Sequence, residues 1–387
     1  MPPRFSLTAL LLGNFVTGIA VLGPAAMISD LSQGLGITIR DAGFLITAGA
    51  VILCFGSPLT AWLTGNFDRR LLLAATMLVL AIGHLASAFA PDYYTLLVIR
   101  VSMLSIAALY TPQAAGTAAL LVPEERRAAA ISFVFIGWSL AAAAGAPIIK
   151  LLASKVGWRE TYDLIAAVAT IAFALQMIFL PSGLKGTPVS LGTWSLLARS
   201  RLIVFLLLIT ALSVSGQFAM ITYLDPLLVQ LAGATPETIS FFFLLFGGCG
   251  FVGNVIATRF VGALGAFVTS AICLVSIFVG VLIWALGQGA LPVMGMGVIF
   301  WGLGFAAGNS MQQARLAAAA PLLAPASIAL NTSGIYVGQA VGSYLGGLLI
   351  ARDQFSAIGW VAVAFMVAAL LLLAFTRESS ALGQQNT

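Results

Sequence analysis

The chain has 387 residues, of which 61% are hydrophobic and 7% are charged, and its mean hydropathy is +1.09. Aqueous proteins carry about 25% charged residues, so this composition excludes an ordinary water-soluble protein. It indicates a polytopic membrane protein.

Apolar stretches separate the clusters of charge, and each is long enough to cross the roughly 30 Å hydrocarbon core of a bilayer as a helix. Twelve transmembrane helices are predicted, near residues 6–30, 41–63, 71–90, 94–121, 128–152, 160–181, 202–230, 237–258, 265–287, 291–315, 326–350 and 357–376. The longest polar connection, Pro181–Ser200, follows the sixth helix. We therefore expect an all-α integral membrane fold of two pseudo-symmetric six-helix bundles, residues 1–181 and 201–387, with a cytoplasmic linker over 182–200 and a short cytoplasmic tail. The first apolar segment is full length, so no cleavable signal peptide is expected.

The basic residues predict the orientation, since Lys and Arg collect in cytoplasmic loops. The side that carries the N-terminus holds eleven of them: Arg4, Arg69, Arg70, Arg126, Arg127, Lys185, Arg199, Arg201, Arg259, Arg315 and Arg377. The opposite side holds five: Arg40, Lys150, Lys155, Arg159 and Arg352. Both termini are therefore expected in the cytoplasm, and the net charge of +5 follows from topology rather than from nucleic-acid binding.

Several function classes lack their motifs in this sequence. It has no G-x-x-x-x-G-K-[ST] loop for nucleotide phosphates and no G-x-S-x-G elbow for a hydrolase. Its single histidine, His84, belongs to no cluster of metal-ligating residues, and it is expected to be a hydrogen-bonded residue of the third helix. We expect no enzyme activity, no metal and no cofactor. A transporter driven by a gradient of ions or substrate remains.

Two charged residues inside predicted spans are candidate functional groups. Arg100 lies about six residues into the fourth helix, where a charge needs a wet cavity or a counter-charge, although a guanidinium at that depth can also reach the headgroups. Asp225 precedes Pro226, which should bend the seventh helix, and its carboxyl is either a protonatable coupling group or an acid at the aqueous rim. Asp30 and Asp163, near span ends, are expected at the rim.

Neutral polar residues inside the spans predict a mildly polar pocket between the halves, although each can also bond a neighbouring helix. The members proposed for substrate or proton coupling are Asn14, Tyr110, Gln113, Gln217, Tyr223, Asn309, Gln312 and Gln339. Gln176 has the same character, and Trp301 is expected to face lipid.

Small residues at intervals of four predict close helix packing. In the eleventh helix they are Gly334, Gly338, Gly342 and Gly346. In the fifth they are Gly137, Ala141 and Gly145. These faces would allow the two bundles to slide during alternating access, or they serve tight static packing.

Three connections in the N-terminal half carry a family resemblance. Gly56-Ser-Pro58 leads into Asp68-Arg69-Arg70 between the second and third helices, Pro123-Glu-Glu-Arg-Arg-Ala128 follows the fourth, and Gly157-Trp-Arg159 follows the fifth. They resemble the major facilitator superfamily, especially its drug:proton antiporter branch related to arabinose efflux permeases. Gly145-Ala146-Pro147 is similar to that branch's antiporter motif, and Arg100 falls where the family places an arginine.

The resemblance implies two rocking bundles, a gate organised by Gly56, Pro58, Asp68, Arg69 and Arg70, and efflux of a small organic solute (drug-, sugar- or metabolite-like) by a monomer in exchange for protons. Some acids of the family pattern are missing, because Gly65 takes the place of the gate acid and the first helix has no glutamate. A uniporter or a proton-coupled uptake carrier is therefore an alternative. A non-transporting sensor or scaffold is a further one, with little loop surface to support it.

Overall fold

The computed structural model describes residues 3–64, 67–123, 126–185, 197, 199–320 and 323–376, and these are helical almost throughout. The chain divides into two compact units, Met1–Val189 and Ser190–Thr387. Most of the predicted linker over 182–200 lies outside the described residues.

The N-terminal unit is built from nine helical segments in its described residues: α1 Pro3–Ala26, α2 Ile28–Leu35, α3 Ile39–Leu63, α4 Arg69–Ala88, α5 Tyr93–Ala107, α6 Tyr110–Leu120, α7 Arg127–Leu140, α8 Ala146–Val156 and α9 Trp158–Phe179. A π-helical turn, Ala141–Gly145, joins α7 to α8. The most extensive packing is between α4 and α9 and between α1 and α7.

The C-terminal unit contains six helical segments in its described residues: α10 Arg201–Ile221, α11 Leu224–Ala232, α12 Pro236–Leu286, α13 Leu291–Ala319, α14 Ala324–Ile350 and α15 Phe355–Phe375. Within it, α12 packs most extensively on α13, and α10 packs on α14 and α15.

Ten helices in the described part of the chain are long and apolar enough to cross a membrane. One of them, α12, has 51 residues and is interrupted at Gly265, whose backbone has φ 78° and ψ 158°. Glycine adopts that conformation without steric cost, so α12 turns there into two segments of membrane length. The helix α14 has 27 residues, and the count of twelve spans stays a prediction.

Some predicted boundaries differ from the structure. The first span ends at Ala26, and a short separate helix, α2, follows it. The fourth span is interrupted at residues 108–109 between α5 and α6. The eighth does not end at 258 but continues to the turn at Gly265.

The seventh span breaks close to its proline, as the sequence predicts. The interruption is at Thr222 and Tyr223, and Thr222 carries the carbonyl that Pro226 leaves without its helical donor. Pro226 falls in the first turn of α11. The amide groups of a first turn have no acceptor inside the helix, so a proline is tolerated there.

The fifth span accommodates its proline by widening. The amide of Ala146 donates to the carbonyl of Ala141, five residues back, just before Pro147. A proline ring collides with the carbonyl four residues before it in a regular α-helix. The π-helical turn provides the local adjustment, as such bulges do in other helices.

The glycine stripes mark the closest helix approaches inside each unit. A Cβ added to Gly342 would lie 2.9 Å from the amide nitrogen of Ala219 in α10, and one on Gly346 would lie 2.9 Å from the carbonyl oxygen of Ala219. Gly338 packs in the same way against Ala211, and Gly334 is less crowded. In the other unit, Gly137 and Gly145 pack on α1. These contacts support static packing within each bundle.

Candidate substrate and coupling residues

A cleft in the C-terminal unit brings together three of the residues nominated from the sequence. It lies between α10, the second half of α12 and α13, and it is narrow, with a free volume of about 10 Å³, roughly enough for one water molecule. Gln217 lines it from α10, and Asn309 and Gln312 line it from α13. Thr210 and Ser213 add hydroxyl groups, and the rest of the wall is apolar. Uncharged hydrogen-bonding groups in an apolar wall suit a neutral polar ligand.

Gln217 is held in one orientation by its neighbours. Its amide nitrogen donates to the carbonyl and the hydroxyl of Ser213, at 3.2 and 3.1 Å, and its oxygen accepts from the indole nitrogen of Trp301 at 3.0 Å. Trp301 is completely buried, so the expectation that it faces lipid is wrong. Its N–H needs an acceptor that lipid does not offer, and Gln217 provides one.

Gln312 is the centre of a hydrogen-bond network at the edge of the cleft. Its nitrogen donates to the carbonyl of Leu206 at 3.1 Å, and its oxygen accepts from Ser270 at 3.2 Å and from Arg315 at 3.1 Å. These bonds join α10, α12 and α13. Asn309, which is half-buried, makes no side-chain hydrogen bond to any described residue, so its amide is the one available to a ligand.

Three other nominated residues lie in the same unit but do not line this cleft. The hydroxyl of Tyr223 donates to the carbonyl of Ser343 at 2.8 Å. Asp225 and Gln339 are both buried, with 0% and 2% of their surface exposed. Asp225 is therefore enclosed by helices and does not lie at an aqueous rim.

In the N-terminal unit, Asn14 belongs to a neutral hydrogen-bond network. Its nitrogen donates to the carbonyl of Val134 at 3.0 Å, and its oxygen accepts from the hydroxyl of Thr111 at 2.7 Å. That hydroxyl in turn accepts from the indole nitrogen of Trp138 at 3.2 Å. Asn14 is completely buried and joins α1 to α6 and α7.

Tyr110 also serves helix packing. Its hydroxyl accepts from the amide of Gln176 at 2.6 Å and lies 3.3 Å from the carbonyl of Leu10, to which it donates. Both side chains are completely buried. The structure does not bring Tyr110 together with Asn14 in one hydrogen-bond network.

The nominated gate residues tie α4 to two other segments. Arg69 is buried and donates to the amide oxygen of Gln113 in α6, and Gln113 donates to Thr64 at 3.2 Å. The amide of Arg69 donates to the carbonyl of Leu184 at 2.8 Å. Gln113 therefore joins the gate network rather than a ligand pocket.

Asp68 caps α4 and reaches the segment that follows α9. Its carboxylate accepts from the amides of Leu71 and Gly183. Partial burial raises the pKa of the Asp68 carboxyl, but the N–H groups of Gly183, Leu71 and Arg70, with the charge of Arg70, outweigh it and leave the pKa below its usual value. Arg70 lines a neighbouring cleft.

Of the other residues expected at the gate, Gly56 lies in α3 against Ala108, where an added Cβ would be 2.7 Å from the Cβ of that alanine. Pro58 falls within α3. Gly65, at the position of the missing gate acid, lies outside the described residues.

Arg100 is buried in the N-terminal unit, with 1% of its surface exposed, and does not reach the headgroups. One guanidinium nitrogen donates to the carbonyl of Ala20 at 3.2 Å. Tyr162 and His84 are titratable groups near the guanidinium. The ring of His84 stacks on Tyr162 with 5.7 Å between centroids. Neither imidazole nitrogen has a hydrogen-bond partner among the described residues, so the expected hydrogen-bonded His84 is wrong.

Sequence reasoning missed several of these residues. Tyr162, Thr111 and Trp138 gave no signal, because aromatic and hydroxyl residues are common in apolar helices. Lys150, counted only as a loop charge, forms an ion pair with Asp30 at 3.0 Å.

Comparison of the sequence with known families and proteins identifies the family of this chain. Residues 10–323 match the model of the Major Facilitator Superfamily. The chain is 28% identical to the uncharacterized MFS-type transporter YtbD of Bacillus subtilis, over 96% of this chain and 95% of that protein. It is 26% identical to a probable sugar efflux transporter of Mannheimia succiniciproducens, over 96% and 95%. It is 28% identical to the inner membrane transport protein YdhP of Escherichia coli K12, over 97% and 96%.

Solved structures share the fold. A POT family transporter in complex with a thioalcohol-conjugated peptide matches with a TM-score of 0.80 and 14% identity, over 96% of both chains. The xylose transporter XylE of E. coli, in a partially occluded inward-open conformation, matches with a TM-score of 0.75 and 13% identity, over 96% of this chain and 97% of XylE. The resemblance to efflux permeases inferred from the sequence is thereby confirmed. The chain belongs to the Major Facilitator Superfamily and is a multi-pass membrane transporter.

Proposed function

We propose that this transporter exports a small, uncharged, hydroxyl-bearing solute, such as a sugar, by alternating access in exchange for protons. It works as a monomer in a bacterial inner membrane with both termini in the cytoplasm. The observation that carries the proposal is the cleft of the C-terminal unit, where Gln217, Asn309 and Gln312 meet. Similarity to the probable sugar efflux transporter of Mannheimia succiniciproducens supports both the solute class and the direction.

Hydroxyl groups are both donors and acceptors, and the cleft offers both. The amide of Asn309 presents an N–H group and an oxygen, and Ser213 presents a hydroxyl. No ionisable side chain lines the cleft among the described residues. A charged solute would therefore lose its hydration without a compensating charge, which disfavours it.

Asp225 is the proposed proton-carrying group. It is a carboxyl completely enclosed by helices, and a buried carboxyl in a carrier is a functional candidate by default. When it carries its proton the carboxyl is neutral, and its exposure can switch from one side of the membrane to the other as the bundles move. Release of the proton would then permit the return step. Arg100 is the second proposed charged group of the cycle.

Transport in inverted membrane vesicles tests the proposal. Radiolabelled neutral sugars should accumulate inside vesicles whose lumen is acidified, and dissipating the pH gradient should abolish the accumulation. Equilibration unaffected by the gradient would instead identify a uniporter, and solute leaving the acidic lumen together with protons would identify an uptake carrier. No flux of any solute would favour the sensor or scaffold.

Two variants assign the roles. Asn309→Ala should raise the KM for solute about tenfold, the cost of losing one or two hydrogen bonds, whereas the neighbouring Ser310→Ala, outside the cleft, should not change it. Asp225→Asn should retain solute exchange between compartments but lose its dependence on the pH gradient. Unchanged coupling in that variant would remove Asp225 from the mechanism.

A further inference from the structure

The interior of the N-terminal unit contains a group of buried polar atoms without hydrogen-bond partners among the described residues. Two nitrogens of Arg100, Nε and Nη1, have no hydrogen-bond partner among the described residues. The same is true of the hydroxyl of Tyr162 and of both nitrogens of His84. All three side chains are at most 1% exposed. Buried polar groups are almost always satisfied, so a cluster of unsatisfied ones requires an explanation.

These three side chains lie together. Tyr162 faces the guanidinium of Arg100 without completing a hydrogen bond of normal geometry. His84 stacks on Tyr162 and lies within electrostatic reach of Arg100. The three residues come from α4, α5 and α9, three helices that converge at this point. We call Arg100, Tyr162 and His84 the donor cluster.

No carboxylate neutralises Arg100 among the described residues of its unit. Asp30 pairs with Lys150, Asp68 binds amides at the end of α4, and Asp92 caps α5. The remaining described acids lie near helix ends and are at least partly exposed: Asp41, Glu160 and Asp163. The guanidinium is therefore a buried positive charge whose counter-charge is absent from the described protein groups.

Such a charge is costly. The penalty for burying an unpaired ion is several kcal/mol even after relaxation, and intramembrane arginines are normally paired. A bound anion removes both problems, because it neutralises the guanidinium and accepts hydrogen bonds from each member of the donor cluster.

The surroundings restrict the anion to a small monovalent one. Gly49 of α3 lies over the guanidinium, since a Cβ added there would be 4.0 Å from Nη2 of Arg100. Met103 and Leu104, in α5 itself, are also buried. One positive charge in an apolar setting cannot compensate a divalent anion.

We propose that the donor cluster is a binding site for a small monovalent anion, with Arg100 supplying the charge and Tyr162 and His84 supplying further N–H and O–H donors. Chloride and the carboxylate of a small organic acid share this chemistry. The site lies in the N-terminal unit, away from the neutral cleft of the C-terminal unit, and its occupancy can be measured without transport.

The test is a binding measurement on the full-length protein in detergent, in buffers where gluconate replaces chloride at constant ionic strength. Chloride, bromide and acetate are titrated separately while the melting temperature and the tryptophan fluorescence are followed. Trp158 is a suitable reporter because its ring makes an edge contact with Tyr162, with 6.1 Å between centroids. The expected result is a saturable rise in melting temperature, with saturable quenching by bromide.

Saturation with halides would identify an inorganic anion, and saturation with acetate alone would identify a carboxylate. Either supports the site. Absence of saturation with all three would overturn it.

Variants locate the binding. Tyr162→Phe should weaken the apparent affinity about tenfold, the effect of removing one hydrogen bond to a charged group. Arg100→Gln should abolish saturation. Arg40→Gln is the matched control, because this arginine is exposed on the same unit; it should leave the titration unchanged.

Equal titrations in wild type and Tyr162→Phe would overturn the proposal. If Arg100→Gln does not fold, anomalous scattering from bromide in crystals of the wild type decides the question. Bromide must then lie within hydrogen-bond reach of Arg100, and bromide only elsewhere would contradict the site.

Discussion

The ammonium of Lys150 in α8 lies 3.0 Å from a carboxylate oxygen of Asp30 in α2. The side chains are 4% and 19% exposed, so the pair is largely withdrawn from solvent. The pair joins α2, the short helix that follows the first span, to α8 at the end of the fifth span. Asp30, near the end of the first span, is thus paired with a lysine, and the sequence did not predict this pairing.

Asp30→Asn should destabilise the protein, because it leaves Lys150 without its carboxylate in a buried position. Removing one partner of a buried pair costs about 3 kcal/mol. Thermal unfolding in detergent would measure the loss. Asp163→Asn, which removes an exposed acid of the same unit, should have no effect. The double variant Asp30→Leu with Lys150→Met should regain most of the lost stability, and equal losses in the single and double variants would contradict the role of the pair.

The membrane-length helices could be predicted because a segment that crosses lipid must form all its backbone hydrogen bonds internally, as a helix. Each crossing therefore appears in the sequence as an apolar run of similar length. The orientation of side chains around those helices could not. Trp301 and Phe241 lie in equally apolar stretches, yet Trp301 is completely buried and Phe241 is 57% exposed. Composition does not distinguish a face against lipid from a face against another helix.

The candidate site was predictable in the same limited way. The amides of Gln217, Asn309 and Gln312 were visible as polar residues in apolar helices, and the structure places all three along one cleft. Asn14 and Gln113 had the same signal but hold helices together instead. Only three-dimensional packing separates an amide that faces a cavity from one that bonds a neighbour.

Substitutions along the glycine stripe of α14 should have graded effects. Gly342→Ala places a Cβ 2.9 Å from the amide nitrogen of Ala219 and 3.0 Å from the carbonyl carbon of Ser215, and backbone cannot yield locally. Overpacking of this kind costs about 1–3 kcal/mol. Gly334→Ala is the control, because its nearest atom, the carbonyl oxygen of Leu207, is 3.5 Å away. Melting temperatures should fall for Gly342→Ala and not for Gly334→Ala, and the reverse order would refute the packing argument.

The contact between Asp68 and Gly183 should weaken in acid. Its carboxyl has a pKa below the usual value, and an unfolded aspartate titrates near pH ~4. A lowered pKa contributes stability that is complete above the unfolded pKa and disappears as the pH falls through the folded one. A spin label on Leu184 should therefore stay immobilised at and above about pH 4 and become mobile at lower pH.

Asp68→Asn supplies the control for that measurement. The amide loses the charge that attracts the N–H groups, so the label should show the same mobility at every pH. A transition in the wild type with its midpoint above pH 4 would contradict the lowered pKa.

Asn14→Asp should introduce a pH dependence that the wild type lacks at this position. Asn14 is completely buried and donates to the carbonyl of Val134 at 3.0 Å. An aspartic acid of the same shape keeps that hydrogen bond only while it carries its proton, because two unprotonated oxygens facing each other repel. Burial in an apolar helix bundle also disfavours the charged form. The stability of Asn14→Asp should therefore be close to that of the wild type near pH 4 and should decline as the pH rises.

Asn14→Leu lacks both the hydrogen bonds and the titrating group, so it should be less stable at all pH values by a constant amount. Thermal unfolding of the three proteins from pH 4 to 8 separates these outcomes, and parallel curves for Asn14→Asp and the wild type would mean that water reaches Asn14.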